Sequence, residues 1–239
     1  MKRTDFTLKP SLIAMLAAAT LLTACGGDDD DTVVVTPPAP VMQTFTVTVT
    51  NLTANQPMSP VILASHASDA MLWNAGEMAS EALEKMAEGG DTADIAALSV
   101  INSSVNGTGL LMPGMSETLT LTLDEADVAS ISLATMLVNT NDAFTGINSY
   151  TIAGMEVDAT TAMKFMAYDA GTEANSEAKG TMPGPADGGE GFNASRDDVD
   201  FVHIHPGVIS MYDGLTDSVL GASHRFDNPV LAVTIMRTE

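Results

Sequence analysis

Thr44-Phe45-Thr46-Val47-Thr48-Val49-Thr50 alternates threonine with large apolar side chains over seven residues. Side chains of an extended chain point to opposite faces at every step, so this pattern makes a strand with one dry face and one wet face. Asn51-Leu52-Thr53-Ala54-Asn55-Gln56-Pro57 breaks it. The same code returns at Thr118–Leu123, where Leu119, Leu121 and Leu123 alternate with Thr118, Thr120 and Thr122. Ile131-Ser132-Leu133-Ala134-Thr135-Met136-Leu137-Val138 reads as a more fully buried strand, Phe201-Val202-His203-Ile204-His205 as a short alternating one, and Val230–Met236 as the last. β-Branched residues fill these runs, and Gly, Asn, Asp and Pro clusters separate them, which predicts an antiparallel β-sandwich. One section has helical spacing instead. From Ser80 to Ile101, Leu83, Met86 and Ala87 share a face, Gly89-Gly90 is a stop, and Asp91 is an expected N-cap for a second short helix carrying Ile95 and Leu98. The expected fold is mainly β, with one or two short helices inserted between early strands.

Three segments are expected in the 239 residues. Lys2, Arg3 and Lys9 precede the apolar run Leu12–Leu22, which is too short for a membrane span and has the flanks of a secretory signal. Leu22-Thr23-Ala24-Cys25 resembles a bacterial lipobox, whose cysteine is lipidated after cleavage, and Cys25 is the only cysteine of the chain. Residues 1–24 are therefore expected to be a lipoprotein signal peptide and residues 25–40 a lipidated, acidic and Pro-rich tether. Residues 41–239 are expected to be the sandwich. Gly26, where Gram-negative lipoproteins retained in the inner membrane usually carry Asp, points to the outer membrane. With one cysteine, an exported chain has no internal disulfide and depends on packing, backbone pairing or metal.

Nine Lys+Arg stand against 31 Asp+Glu, a formal charge of −22. Polyanions are held by basic patches, so nucleic acid is excluded as a partner, and anionic membrane surfaces are disfavoured. Hydrophobic residues make up 45 % of the chain, too many for a disordered acidic tail. The methionines, spread without clustering, read as core packing.

Two stretches offer chemistry. Asn139-Thr140-Asn141-Asp142 and Tyr168-Asp169-Ala170-Gly171-Thr172-Glu173 are acidic loops that each follow an apolar run, and at one end of a sandwich they supply the carboxylate and amide oxygens Ca²⁺ needs. In Phe201–His205, a period of two puts His203 and His205 on one face, a spacing able to hold Zn²⁺ or Cu²⁺. A copper–zinc superoxide dismutase site needs more imidazoles than the remaining His66 and His224. The Asp197-Asp198 to Asp200 run reads as a solvated loop. No Gly-x-Ser-x-Gly elbow, Walker loop or strand-linked Gly-x-Gly-x-x-Gly is present, so an enzyme is the less favoured expectation.

The order of motifs resembles the spondin domain, the N-terminal module of F-spondin and mindin that also occurs in bacterial lipoproteins. The stretches that carry it are Phe45–Asn51, Ser65-His66-Ala67-Ser68-Asp69-Ala70-Met71-Leu72-Trp73 with the helix Ser80–Gly90, Asn139–Gly146, Tyr168–Glu173 and Asn228–Arg237. Tyr-Asp-Ala-Gly-Thr-acid is the most specific. The resemblance implies a C2-like sandwich and a calcium ion held partly by Asp142 and Asp169. Asn141 and Glu173 are weaker ligand candidates, and Glu117 or Asp124 stands in for an acid that the animal domains carry on an earlier strand. The function expected is a lipid-anchored, calcium-stabilised, non-enzymatic binding or adhesion module of the cell envelope, engaging an envelope or extracellular protein or glycan. The alternatives are a transition-metal envelope enzyme using His203 and His205, and a purely structural envelope protein.

Overall fold

The computed structural model describes residues 39–239. Cleavage, lipidation at Cys25 and nearly all of the tether lie outside the described residues. The elements in chain order are β1 (Met42–Asn51), β2 (Ile62–His66), α1 (Glu81–Gly89), α2 (Ala93–Ala96), β3 (Ile101–Asn106) and β4 (Ser116–Asp124). They continue with β5 (Ser130–Met136), β6 (Ala143–Thr151), β7 (Thr160–Phe165), β8 (Ala167–Asp169), β9 (His203–Ile204) and β10 (Leu231–Arg237). The strands pair antiparallel in two sheets, ordered β4-β1-β10-β7 and β3-β2-β5-β6-β8-β9. Both helices fall between β2 and β3, and the fold is the two-sheet sandwich that the alternation predicts.

The four-stranded sheet follows its sequence code directly. Val47 stands opposite Leu119 on β4 and Ile235 on β10, and Phe45, Val47, Val49, Leu119, Leu121, Leu123, Val233 and Ile235 are buried in the core between the sheets. The threonines fill the outer face, where Thr48 and Thr118 hydroxyls are 2.8 Å apart, and Thr50 and Ser116 hydroxyls 2.7 Å.

The centre of the six-stranded sheet is covered on both faces, and every residue of β2 and β5 is buried. Ile131 and Leu133 point into the inter-sheet core with Leu63, Ala143 and Ile147. Ala134 and Met136 point the other way, into a second core shared with Ile62, Phe144, Trp73 and the apolar face of α1. That face carries Leu83, Met86 and Ala87. Ser80 caps α1, its hydroxyl accepting from Leu83 N at 3.2 Å, and Gly90 ends it in the left-handed conformation at φ 71°. Trp73, Phe144 and Tyr168 meet as an aromatic cluster, with the Trp73 and Phe144 rings edge-on at 5.2 Å and the Phe144 and Tyr168 rings stacked at 5.6 Å.

The structure corrects three local expectations. Of the Phe201–His205 strand only His203–Ile204 is paired, to Asp169 and Tyr168, because β8 is itself just three residues long. Asp91 is not the N-cap of α2: Thr92 holds that position, and the Asp91 carboxylate accepts from Ala93 N at 2.9 Å. The methionines are not mainly core. Met58, Met86, Met136 and Met182 are buried, whereas Met42, Met71, Met78, Met112, Met115, Met166 and Met211 are exposed.

Between β8 and β10 the chain runs through residues 170–230 with no paired strand except β9. It has a small core of its own in Met182, Val208 and Leu220. The buried Glu177 carboxylate ties it together, accepting from Ile209 N at 2.6 Å, Ser210 N at 3.0 Å and the Ser218 hydroxyl at 2.6 Å. This long connection folds over the end of the sandwich where Asp142 and Asp169 emerge.

Candidate metal centre

Antiparallel pairing of β6 with β8 sets Ala143 opposite Asp169, so the residue before β6, Asp142, and the last residue of β8 come to one end of the sheet. Ala170 N donates to Asp142 O at 3.3 Å across this junction. Both aspartates are fully buried. Asp142 Oδ2 accepts three bonds: Thr172 N at 2.8 Å, Thr172 Oγ1 at 3.2 Å and Glu173 N at 3.1 Å. Its Oδ1 is buried with no hydrogen-bond partner. Both oxygens of Asp169 accept within its own loop, Oδ1 from Gly171 N at 2.8 Å and Oδ2 from Asn175 Nδ2 at 2.6 Å, which leaves each a second lone pair.

These contacts account for the Tyr-Asp-Ala-Gly-Thr-Glu motif. The aspartate side chain closes its own turn, and the threonine backbone and hydroxyl cradle the neighbouring aspartate. Gly171 sits at φ 71°, where side chains other than hydrogen are strained. A Cβ there would also meet the backbone of Phe201, and Asp200 N donates to Gly171 O at 2.8 Å. The missing side chain thus lets the 197–203 segment lie against the motif.

Two more carboxylates belong to the same end. Glu173 and Glu88 are buried, and Glu173 Oε2 and Glu88 Oε1 have no hydrogen-bond partner. The other oxygen of Glu88 accepts from Asn193 N at 2.8 Å. Burial first, and then the charge of Asp169, push Asp142 up to about 8. Burial also pushes Glu173 up to about 8, helped by the charges of Glu88 and Asp142. Glu88 is raised as well, by burial first. Removing a carboxylate from water without a partner is strongly unfavourable, so such a group takes up a proton or a cation. The guanidinium of Arg196 does not fill that role: it binds Glu84 at 2.6 Å, Asp200 at 2.6 Å and Ala79 O at 2.8 Å. Three buried carboxylates, each with one free oxygen, are donors of the hard, anionic kind that Ca²⁺ prefers, although among the described residues only Asp169, Asp198 and His203 have ligand atoms all within 4.8 Å of one another. A polar pocket lined by Asn141, Glu173, Glu190, Asn193 and Asp197 opens from Glu173 to solvent.

The other sequence candidates sit as follows. Asn141 braces the long connection, Oδ1 accepting from Glu177 N at 3.2 Å and Nδ2 donating to the Thr181 hydroxyl at 3.1 Å. Glu117 accepts from Thr108 N at 2.8 Å and the Thr108 hydroxyl at 3.0 Å, at the turn from β3 into β4. Asp124 accepts from Ala126 N at 3.0 Å and starts a single helical turn, Glu125–Asp127. Neither forms a hydrogen bond with the Asp142 loop.

His203 and His205 do share a face, and that face is turned to Asp169. His203 Nε2 is 3.7 Å from Asp169 Oδ1, and His205 Nε2 is 3.9 Å from Asp169 Oδ2. The two imidazoles differ in kind. His205 is buried, its Nδ1 accepts from Gly207 N at 2.9 Å, and Nε2 therefore carries the proton and donates to Asn175 Oδ1 at 3.0 Å. Burial lowers it to about 4, so it stays neutral. His203 has no hydrogen bond on either nitrogen, and its Nδ1 is buried. The 197–200 run is not simply a solvated loop: Asp197 accepts from Ala174 N at 2.8 Å, Asp198 Oδ2 lies 4.0 Å from His203 Nε2, and Asp200 pairs with Arg196.

Sequence reasoning missed Glu88. The signal available was its position four residues after Glu84, at the margin of the Leu83–Met86–Ala87 face, where an exposed helix surface would not be expected to place both acids under cover.

Compared with known families, residues 48–182 match the profile of Spondin_N, a span covering more than half of the chain. It contains β1 from Thr48 onward, both helices and the two aspartate loops. No curated protein matches the chain. With β2 to β8, both inserted helices and the two aspartate loops inside the matched span, the chain belongs to the Spondin_N family, the spondin N-terminal domains.

Proposed function

We propose that this chain is a non-enzymatic binding or adhesion module, lipid-anchored through Cys25 at the outer membrane and stabilised by one calcium ion at the Asp142 end of the sandwich. Spondin N-terminal domains are extracellular, adhesion-type modules, which sets the general class. The observation that carries the calcium reading is the group of three buried carboxylates with a free oxygen each, Asp142 Oδ1, Glu173 Oε2 and Glu88 Oε1. Asp169 adds a fourth carboxylate beside them, and the buried Asn141 lines the adjoining pocket. Calcium supplies the positive charge that these groups lack, and in doing so joins α1, the β5–β6 turn and the loop after β8. The surface beside that end is the one offered to an envelope or extracellular protein or glycan.

Calorimetric titration of the chelator-treated, detergent-solubilised full-length protein with CaCl₂ is expected to give one saturable site and a higher melting temperature. Neither binding heat nor a shift removes the ion from the proposal. Cys25→Ala tests the anchor. Loss of the protein from the membrane fraction, or accumulation of uncleaved precursor, is expected; a processed mutant still in the membrane fraction overturns the assignment.

A further inference from the structure

We infer that Asp169, Asp198 and His203 form a second metal site, open to solvent, for a borderline divalent ion of the Zn²⁺ type. One oxygen from each aspartate and one imidazole nitrogen lie within 4.8 Å of one another. They come from three separate places: the end of β8, the connection before β9, and β9 itself. His203 Nε2 faces both oxygens, at 3.7 Å from Asp169 and 4.0 Å from Asp198. Those separations are too long for hydrogen bonds. They are near the spacing set by an ion with bonds of about 2.1 Å, which holds its ligands about 3.4 Å apart in a tetrahedron.

The imidazole gives a second, independent sign. Among the described residues, His203 Nδ1 is one of six buried side-chain polar atoms without a hydrogen-bond partner, and the part-exposed Nε2 that faces the two aspartates makes no hydrogen bond either. Its ring is held edge-on against Phe201 at 5.6 Å between centroids, and β9 pairing to Asp169 fixes its backbone. The site is also reachable, with the His203 and Asp198 side chains 29 % and 22 % exposed. One nitrogen and two carboxylate oxygens suit zinc-like ions and leave coordination positions for water or for a donor group of a partner. His205 is not a ligand, because its two nitrogens are committed to Gly207 N and Asn175 Oδ1.

Asp169 borders the proposed calcium site as well, whereas Asp198 and His203 belong to this site alone, and the test separates the two through them. Full-length protein in detergent, stripped with chelator and then saturated with CaCl₂, is titrated with ZnCl₂, and with CoCl₂ for its visible absorption. One further Zn²⁺ per chain is expected, with a dissociation constant in the micromolar range or tighter and a cobalt spectrum of mixed nitrogen and oxygen ligation. His203→Ala weakens Zn²⁺ binding at least about tenfold and abolishes the cobalt band. Asp198→Asn, at a part-exposed loop position, weakens Zn²⁺ binding without lowering the melting temperature. Both variants keep the calcium heat. Glu173→Gln does the reverse, losing calcium and keeping zinc. Absence of saturable Zn²⁺ binding, or binding by His203→Ala that equals the parent protein, overturns the second site. Loss of the calcium heat alone leaves it standing.

Discussion

The two sheets of this protein differ in what covers their outer faces. Outside the β4-β1-β10-β7 sheet there is a field of threonines, several of them paired hydroxyl to hydroxyl across β1 and β4. Outside the β3-β2-β5-β6-β8-β9 sheet there is a second hydrophobic core, built from α1, Trp73, Phe144 and Tyr168. The covered sheet also carries, at its β6–β8 end, the carboxylates and imidazole of the two candidate metal sites except Glu88, Glu173 and Asp198, which come from α1 and the long connection. Threonine can line a wet face indefinitely, since its hydroxyl needs no ordered partner there. A covered face must find a partner for each polar group it hides. Charged chemistry buried on that side is therefore a sign of use, whereas polarity on the other side is solvation.

The comparison breaks most sharply at Phe144. Its ring fills the second core between Trp73 and Tyr168 and is fully buried. Phe144→Ala is expected to lose about 3–5 kcal/mol of stability, the range for a buried aromatic cut to alanine. Denaturant unfolding measures it. A loss under about 1 kcal/mol would mean that the helical layer is only loosely attached to the sheet.

A smaller effect, on the order of a few kcal/mol, is expected from pH at the buried carboxylates. Asp142 and Glu173 have ordinary values of 3.8 and 4.5, raised on folding to about 8. Between those limits the folded chain holds protons that the unfolded chain has lost, so unfolding releases protons. Metal-free stability should then fall as pH rises from about 4 to about 8 and level off above. Calcium replaces those protons, so its stabilising effect should grow over the same interval. Asp142→Asn removes one titrating group; in chelator it should flatten the melting-temperature profile and make the variant more stable than the parent at pH 8. A parent profile that is flat or rising across pH 5–8 in chelator would show that the carboxylates ionise freely, with no cation required.

At Gly171 the expected loss is about 1–3 kcal/mol for forcing a side chain into left-handed backbone. Because a Cβ there also pushes against Phe201, Gly171→Ala should weaken both metal sites together, through the 197–203 segment rather than through any ligand. Titrating the variant with CaCl₂ and ZnCl₂ checks this; one site weakened and the other untouched would mean that the segment does not couple them.

The wet sheet was readable from local sequence alone, because its alternation records the boundary between core and water. β1, β4 and β10 lie close to their expected places for that reason, and β5 was legible as a fully buried run. β2 and β6 have no such record. Ile62-Leu63-Ala64-Ser65-His66 is buried throughout and mixes polar with apolar side chains, since both faces are under cover and His66 finds Ser132 as a partner at 2.8 Å. At the metal end, Asp142 and Asp169 were singled out by the motif resemblance, and strand pairing accounts for their meeting. Asp198 and Glu88 were not singled out, because their positions depend on a long connection folding back through Gly171, Asp197 and Glu177, contacts with no local pattern.

The smallest effect is expected on the threonine face. Thr48 faces Thr118 at 2.8 Å in the open, where water replaces a lost hydroxyl bond. Thr48→Ala should change stability by no more than about 0.5 kcal/mol, as for exposed substitutions that disturb no cap, core or buried polar group. The value of the measurement lies in its pairing with Phe144→Ala. If Thr48→Ala destabilises by more than about 1 kcal/mol, the hydroxyl ladder is structural, and the threonine face must be covered in the working protein as the opposite face is covered by α1. A null effect keeps the asymmetry: one outer face built to be wet, the other to enclose the groups that hold ions.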